Sequence, residues 1–318
     1  MTIQSVCYSA PGRVILSGEH SVMYGKPTLS CAIDKRLAIT FTQAKKTAYK
    51  DAVMPILEKT AVEFLNRKNI KTKNTSYTYS IESTIPIGRG LGSSAAYCAC
   101  ISAGLLELFT GDEWSKEEIN MCAYQMEKHF HKNSSGVDTS TSIMGGLIYY
   151  RKEFEFLKTI SGLQIRIPKH FIETLELIDS GKPSETMSEM EKVVGMLFNK
   201  ESSKMEEIFN EMEKITKRMV VSIMKEDTTF FKENMWQNQK LLEQIGIVSE
   251  QTKKLLLSLK KMGKGMLVGN GGIKNASGYF LFFMEDADRC RKTLDERMIQ
   301  HMSFVPSYKG LVREKVRK

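Results

Sequence analysis

A mixed α/β architecture (α+β in class) in two packed domains is what this sequence predicts. Three observations carry that expectation. Strand-like and helix-like segments alternate through the first half. The second half turns helical and methionine-rich, then closes on a glycine-rich loop and an aromatic strand, GYFLFF. The chain's 318 residues also suit two cores better than one, at roughly 100–200 residues per domain. A boundary near residue 165 divides it into 1–165 and 166–318.

Residues 3–8 and 36–43 read as strands, and Tyr77–Ser83 (YTYSIES) alternates as a half-buried strand does. Between them, Ala48–Asn69 places Val53, Ile56, Leu57, Ala61, Phe64 and Leu65 at helical spacing. A helix of small residues follows Gly92, another runs from Trp114 to Phe130, and Gly145–Tyr150 (GGLIYY) is a strand behind a glycine pair. Leu163–Ile167 and Leu175–Ile178 read as extended. Met205, Ile208, Met212, Ile215 and Met219 then step by three and four. That stripe lasts too few heptads for a coiled coil and predicts an intramolecular core face.

Composition narrows the function. Hydrophobic residues at 42% and charged residues at 26% exclude a disordered chain. The formal net charge of +9 is spread rather than gathered into a stripe. The densest basic stretch, Tyr308–Lys318, reads as a solvated tail, so no nucleic-acid partner is expected. The longest apolar run, Ala95–Phe109, falls short of the ~20 residues a bilayer needs, and the N-terminus lacks a secretory pattern. Six cysteines without a CxxC pair suggest reduced thiols, and a soluble cytoplasmic protein is the expectation.

Three segments carry the chemistry. Ile85–Ala96 (IPIGRGLGSSAA) alternates Gly88, Gly90 and Gly92, then opens a helix with Ser93 and Ser94. Glycines let backbone approach a ligand, serines cap the helix, and the helix start attracts phosphate. It is neither a Walker A loop nor a dinucleotide fingerprint. On residues alone, an anion-binding turn and a plain strand-to-helix turn both fit. Ser9–Ile33 gathers Arg13, Glu19, His20 and Lys26 among turns, which suits a polar pocket or a solvated loop equally. In Glu127–Gly146 a turn separates Glu127 from Asp138, and two carboxylates so placed can share one site. His129 and His131 have no HExxH or cysteine partner, which disfavours zinc.

Taken together, the order and residues of these segments resemble the GHMP kinase superfamily. The middle segment matches its PxGxGLGSSAA phosphate loop, and the third is similar to its H-x-N-x-S-G-x-D block. The first segment (APGRVILSGEHSVMYGKP) resembles the superfamily's mevalonate-phosphorylating branch. Weaker resemblances extend to Asp179–Thr186 and Gln239–Gly272. The resemblance implies a ribosomal protein S5 domain 2-like N-terminal domain and a ferredoxin-like C-terminal domain with the active site between them. It also implies ATP- and Mg²⁺-dependent phosphorylation of the C5 hydroxyl of mevalonate.

By that resemblance, Gly88, Gly90, Gly92, Ser93, Ser94 and Gly271 bind the nucleotide. Ser94 and Glu127 hold Mg²⁺, Asp138 takes or orients the hydroxyl proton beside the cation of Arg13, and Glu19, His20 and Thr186 line the acceptor site. A homodimer is a family-level expectation. Another GHMP kinase, acting on phosphomevalonate, a sugar such as galactose, or homoserine, stays open as an alternative, as does a catalytically silent nucleotide-binding sensor.

Two departures stand out. Arg13 replaces the family's usual lysine, which keeps the charge but argues against proton shuttling. The third glycine-rich segment, Val268–Phe280 (VGNGGIKNASGYF), has fewer consecutive glycines and no cysteine. It carries Lys274, which either faces solvent or adds a cation near the phosphates.

Overall fold

The computed structural model describes residues 5–316. The first sheet is built from β1 (Ser5–Ser17), β2 (Thr28–Gln43), β3 (Tyr77–Ser83), β4 (Leu147–Lys152) and β5 (Lys158–Leu163), all antiparallel. Both long strands exceed their expected spans; positions 3 and 4 of the first expected strand lie outside the described residues. Pro11-Gly12 does not end β1. It shifts the register against β2, where Pro11 faces Arg36 and Gly12 faces Ile33, and the strand continues to Ser17. The bulge aims Arg13 inward.

Four helices cover one side of this sheet: α2 (Ser93–Thr110) and α4 (Val137–Met144) pack on its strands, and α1 (Met54–Arg67) and α3 (Lys116–Phe130) pack on those helices. α1 begins later than the periodicity suggests because Pro55 occupies its first turn, where a missing N–H costs nothing. Ser115 caps α3 by accepting the Glu118 amide at 3.2 Å. α2 is, among the described residues, the one helix long and apolar enough to cross a membrane; here it lies largely buried in the fold.

The second half adds α5 (Lys169–Thr174), β6 (Leu175–Asp179), α6 (Met187–Lys200), α7 (Ser202–Met224), α8 (Thr228–Gln244), α9 (Glu250–Leu259), β7 (Gly263–Leu267), β8 (Tyr279–Met284), α10 (Ala287–Glu296) and β9 (His301–Ser303). Its antiparallel sheet runs β7-β8-β6-β9. The expected extended stretch at 163–167 is displaced: the strand ends at Leu163, and the chain then runs irregularly into α5. The methionine stripe of α7 is buried along its length, as its spacing predicts. It belongs to one apolar core that includes both halves of the chain, so the halves share a wide dry interface. Thr216 of α7 donates to Ser17 Oγ at 2.9 Å across it.

The chain then returns to its beginning. β10 (Val312–Glu314) pairs antiparallel with β1, giving the first sheet the order β10-β1-β2-β4-β5 with β3 beside β2. A single cut near 165 therefore leaves one strand of the first sheet with the second half. The C-terminal stretch is also no simple solvated tail. Arg313 forks onto the buried Glu107 at 2.8–3.0 Å, while residues 317 and 318 lie outside the described set.

Candidate active site

The glycine loop joins β3 to α2. Gly88, Gly90 and Gly92 adopt φ of 70°, 82° and 75°, a region that L side chains enter only at a cost. Gly92 is the N-cap of α2, and no side chain caps that end. This corrects the expectation that the serines cap the helix: Ser93 and Ser94 are its first two residues. The uncapped amides are left for a ligand, which is how a helix start holds an anion. Across the loop, a Cβ on Gly269 would fall 2.7 Å from Gly90 Cα, so the first and third glycine-rich segments meet backbone to backbone.

Arg13 sits under this loop, almost wholly buried. Its Nε donates to Asp138 Oδ1 at 2.6 Å, Nη2 donates to Oδ2, and Nη1 donates to the Gly90 carbonyl. Asp138 is placed by the start of α4, where Gly136 caps at φ 90°. The two carboxylates separated by the turn do converge. Glu127, in the last turn of α3, accepts Ser134 Oγ at 2.6 Å, and its Oε1 is buried without a partner. Burial and the nearby Asp138 charge push its carboxyl up to about 8, against the pull of Ser134 and Arg13. Glu127 is buried and does not itself line the cleft. Ser94 Oγ is on the wall, 3.3 Å from His131 Nε2. Among the described residues no three His, Cys, Asp or Glu side chains gather as a metal cluster.

Asp138 borders two chambers. The larger, about 900 Å³, is lined by the glycine loop, Ser93, Ser94, Arg13, Lys182–Ser188, Asn270 and Gly271. Its outer wall is apolar: Leu37, Val53, Ile81, Ile87 and Tyr97, with Asp51 at the margin. Sequence reading missed this wall, yet a signal existed. Ile81 continues the alternation of Tyr77 and Tyr79 but is 42% exposed, facing the cleft instead of the core.

The smaller chamber, about 20 Å³, holds roughly one water-sized space. Glu19, His20, Asp138 and Glu191 line it. Glu19 is buried with Oε2 unpartnered, and burial lifts its carboxyl to about 7 against the opposing pull of Arg13. His20 holds φ 58°, unusual outside glycine, and its Nε2 lies 3.0 Å from the Asn270 carbonyl. Since a carbonyl only accepts, Nε2 carries the proton. Burial lowers the His20 pKa.

Glu191 was not anticipated. It lies four residues after Met187 on α6, on one helix face, and both of its carboxylate oxygens lack partners. Thr186, expected to touch the acceptor, lines the large cleft, as Asp138 does. Its hydroxyl serves as the N-cap of α6, accepting the Glu189 amide at 3.3 Å and donating to Glu189 Oε2 at 2.8 Å. Lys274 is exposed, its amide donates to Glu185 at 2.9 Å, and it does not line the cleft.

An uncapped helix start, a buried arginine–carboxylate pair and a polar chamber beyond it suit an enzyme of the phosphoryl-transfer class. The comparisons with known proteins are more specific. The family described as GHMP kinases N terminal domain matches residues 56–146, and a galactokinase galactose-binding signature matches residues 2–43. The mevalonate kinase of Pyrococcus abyssi is 30% identical over 303 residues, covering 84% of this chain and 86% of that one. Among solved structures, a Listeria innocua protein superposes with a TM-score of 0.82 at 17% identity, covering 98% of this chain and all of that one. The L. major mevalonate kinase in complex with R-mevalonate superposes at 0.74, with 17% identity and coverages of 96% and 98%. The chain belongs to the mevalonate kinase family of the GHMP kinases.

Proposed function

We infer that this chain transfers the γ-phosphoryl group of ATP to the C5 hydroxyl of mevalonate, giving 5-phosphomevalonate and ADP. The observation that carries the reading is the place of Asp138: gripped by Arg13, it forms the wall shared by the donor cleft and the small chamber. An acceptor hydroxyl in the small chamber and a terminal phosphorus in the large one meet at that carboxylate.

Phosphoryl transfer asks the protein mainly for positioning and charge neutralisation. Gly88, Gly90, Gly92, Ser93, Ser94 and Gly271 hold the triphosphate through backbone N–H groups and the start of α2. Glu19 and His20 orient the acceptor from the first half of the chain, and Glu191 faces them from α6. Asp138 accepts the hydroxyl proton as the new oxygen–phosphorus bond forms and the bond to the ADP oxygen breaks. Arg13 stays protonated and neutralises the charge that develops beside it.

The buried, unpartnered Glu127 Oε1 and the lightly engaged Ser94 hydroxyl fit a hard oxygen-seeking cation. These two residues would hold Mg²⁺, which neutralises phosphate charge when bound. A cytoplasmic location is the reading that the unpaired cysteines support, and a homodimer the one that family likeness supports. The galactose-binding signature over residues 2–43 makes galactose the informative control. Purified protein with Mg-ATP is offered mevalonate, 5-phosphomevalonate, galactose or homoserine, and ADP release is followed. ADP with mevalonate alone supports the reading; ADP with another alcohol, or with none, overturns it.

A further inference from the structure

The donor cleft contains a cation that this scheme leaves unused. Lys182 comes from the turn after β6, and its side chain lies across the glycine loop. A Cβ built on Gly88 would stand 3.0 Å from Lys182 Cε and 3.6 Å from Nζ. Lys182 lines the same cleft as Ser93 and Ser94. Among the described residues its ammonium takes part in no ion pair. Arg13, the buried cation of the cleft, is committed to Asp138.

The backbone beneath Lys182 is firmly held. Its carbonyl accepts from Asn275 Nδ2 at 3.0 Å. The Ser180 amide and hydroxyl both donate to the Gly278 carbonyl, at 3.0 Å and 2.7 Å. Asp179 ties the turn to the phosphate loop: Oδ1 accepts the Gly181 amide at 2.8 Å, and Oδ2 accepts from Arg89 Nη1, which lies between Gly88 and Gly90. The side chain of Asp179 is only 5% exposed, so this pair is shielded from solvent. One carboxylate therefore fixes the glycine loop and the lysine-bearing turn relative to each other.

We propose that Lys182 is the phosphate-contacting cation of the donor cleft, aimed by the Arg89–Asp179 pair so that the glycine loop and the turn at 179–183 grip the triphosphate together. This rests on the phosphoryl-transfer reading above. Lys182 takes the part considered for Lys274, with its ammonium bonding an oxygen of the β- or γ-phosphate. Arg89 and Asp179 are positioning residues that act through it.

The test combines nucleotide binding without acceptor and kinetics with mevalonate, for the parent, Lys182→Met, Lys182→Arg and Asp179→Asn. Lys182 is exposed, so its variants should keep the parental melting temperature. Lys182→Met is expected to weaken ATP binding by about tenfold to a hundredfold, the range for losing a charge-assisted contact, while AMP binding stays within twofold. KM for ATP rises and KM for mevalonate does not. Lys182→Arg recovers most of the affinity, and Asp179→Asn shifts ATP binding in the same direction by less. If Lys182→Met binds ATP within twofold of the parent, or loses ATP and AMP affinity equally, the proposal is wrong. A parent that binds ATP but phosphorylates no alcohol breaks the mevalonate reading alone, since the binding comparison still reports on Lys182. A parent that binds no nucleotide breaks both.

Discussion

The two chambers that meet at Asp138 are made of opposite materials. The glycine-loop end of the larger one, where the phosphates are proposed to sit, is chiefly backbone: three left-handed glycines, an uncapped helix start and a loop-to-loop contact at Gly90 and Gly269. The acceptor side is side chains, with Glu19, His20 and Glu191 buried or half-buried around a space the size of a water molecule. A backbone cradle needs glycine at fixed spacing, so one short segment of sequence spells it out. A side-chain chamber is assembled from β1, the turn after it, α4 and α6, and no single segment reveals it.

The comparison is tested most severely at the shared wall. Asp138→Asn should lower kcat by at least about a hundredfold, roughly 3 kcal/mol of barrier, with ATP affinity little changed. Steady-state kinetics beside nucleotide binding would check this, and near-parental turnover would remove Asp138 from the mechanism.

Next in size is the acceptor side. The Glu19 carboxyl is raised to about 7 from an ordinary value of 4.5, so the folded protein holds a proton there that the unfolded chain gives up. Its stabilising contribution is full below about pH 4.5 and is lost as pH rises through 7. At 1.36 kcal/mol per unit this amounts to at most about 3 kcal/mol. Glu19→Gln should flatten that part of the stability–pH curve, read from urea midpoints at pH 5 and pH 8. Parallel curves for parent and variant would mean that Glu19 is ionised in the folded state.

The donor side answers to a backbone substitution. Gly90→Ala forces an L residue into φ 82° at a cost of about 1–2 kcal/mol and crowds Gly269. A lower melting temperature and a raised KM for ATP, with an unchanged KM for mevalonate, are expected. Equal changes in both KM values would erase the distinction between the chambers. The smallest effect belongs to Glu127→Gln, which should raise the Mg²⁺ concentration for half-maximal rate several-fold, about 1 kcal/mol. A magnesium titration of initial rate measures it.

Legibility followed the same division. The glycine loop, the buried stripe of α7 and the Glu127–Asp138 pairing could be read from spacing because each is local or periodic. Thr186 carries a second meaning, since a threonine three residues before a glutamate is also a capping box, and its hydroxyl does cap α6. Glu191 and Lys182 left little trace, since an exposed-looking charge on a helix or turn acquires a direction only when another part of the chain folds beside it. β10 left none: three residues carry no measurable period.

That last strand has a consequence for synthesis. Ser9 bonds Glu314, 305 residues away in sequence, so the outer edge of β1 stays open until residues 312–314 have emerged from the ribosome. An unpaired edge strand is a template for illicit association. A nascent chain stalled before residue 312 would therefore expose that edge, and its half-made sheet should be prone to clump or to need a chaperone until the tail arrives.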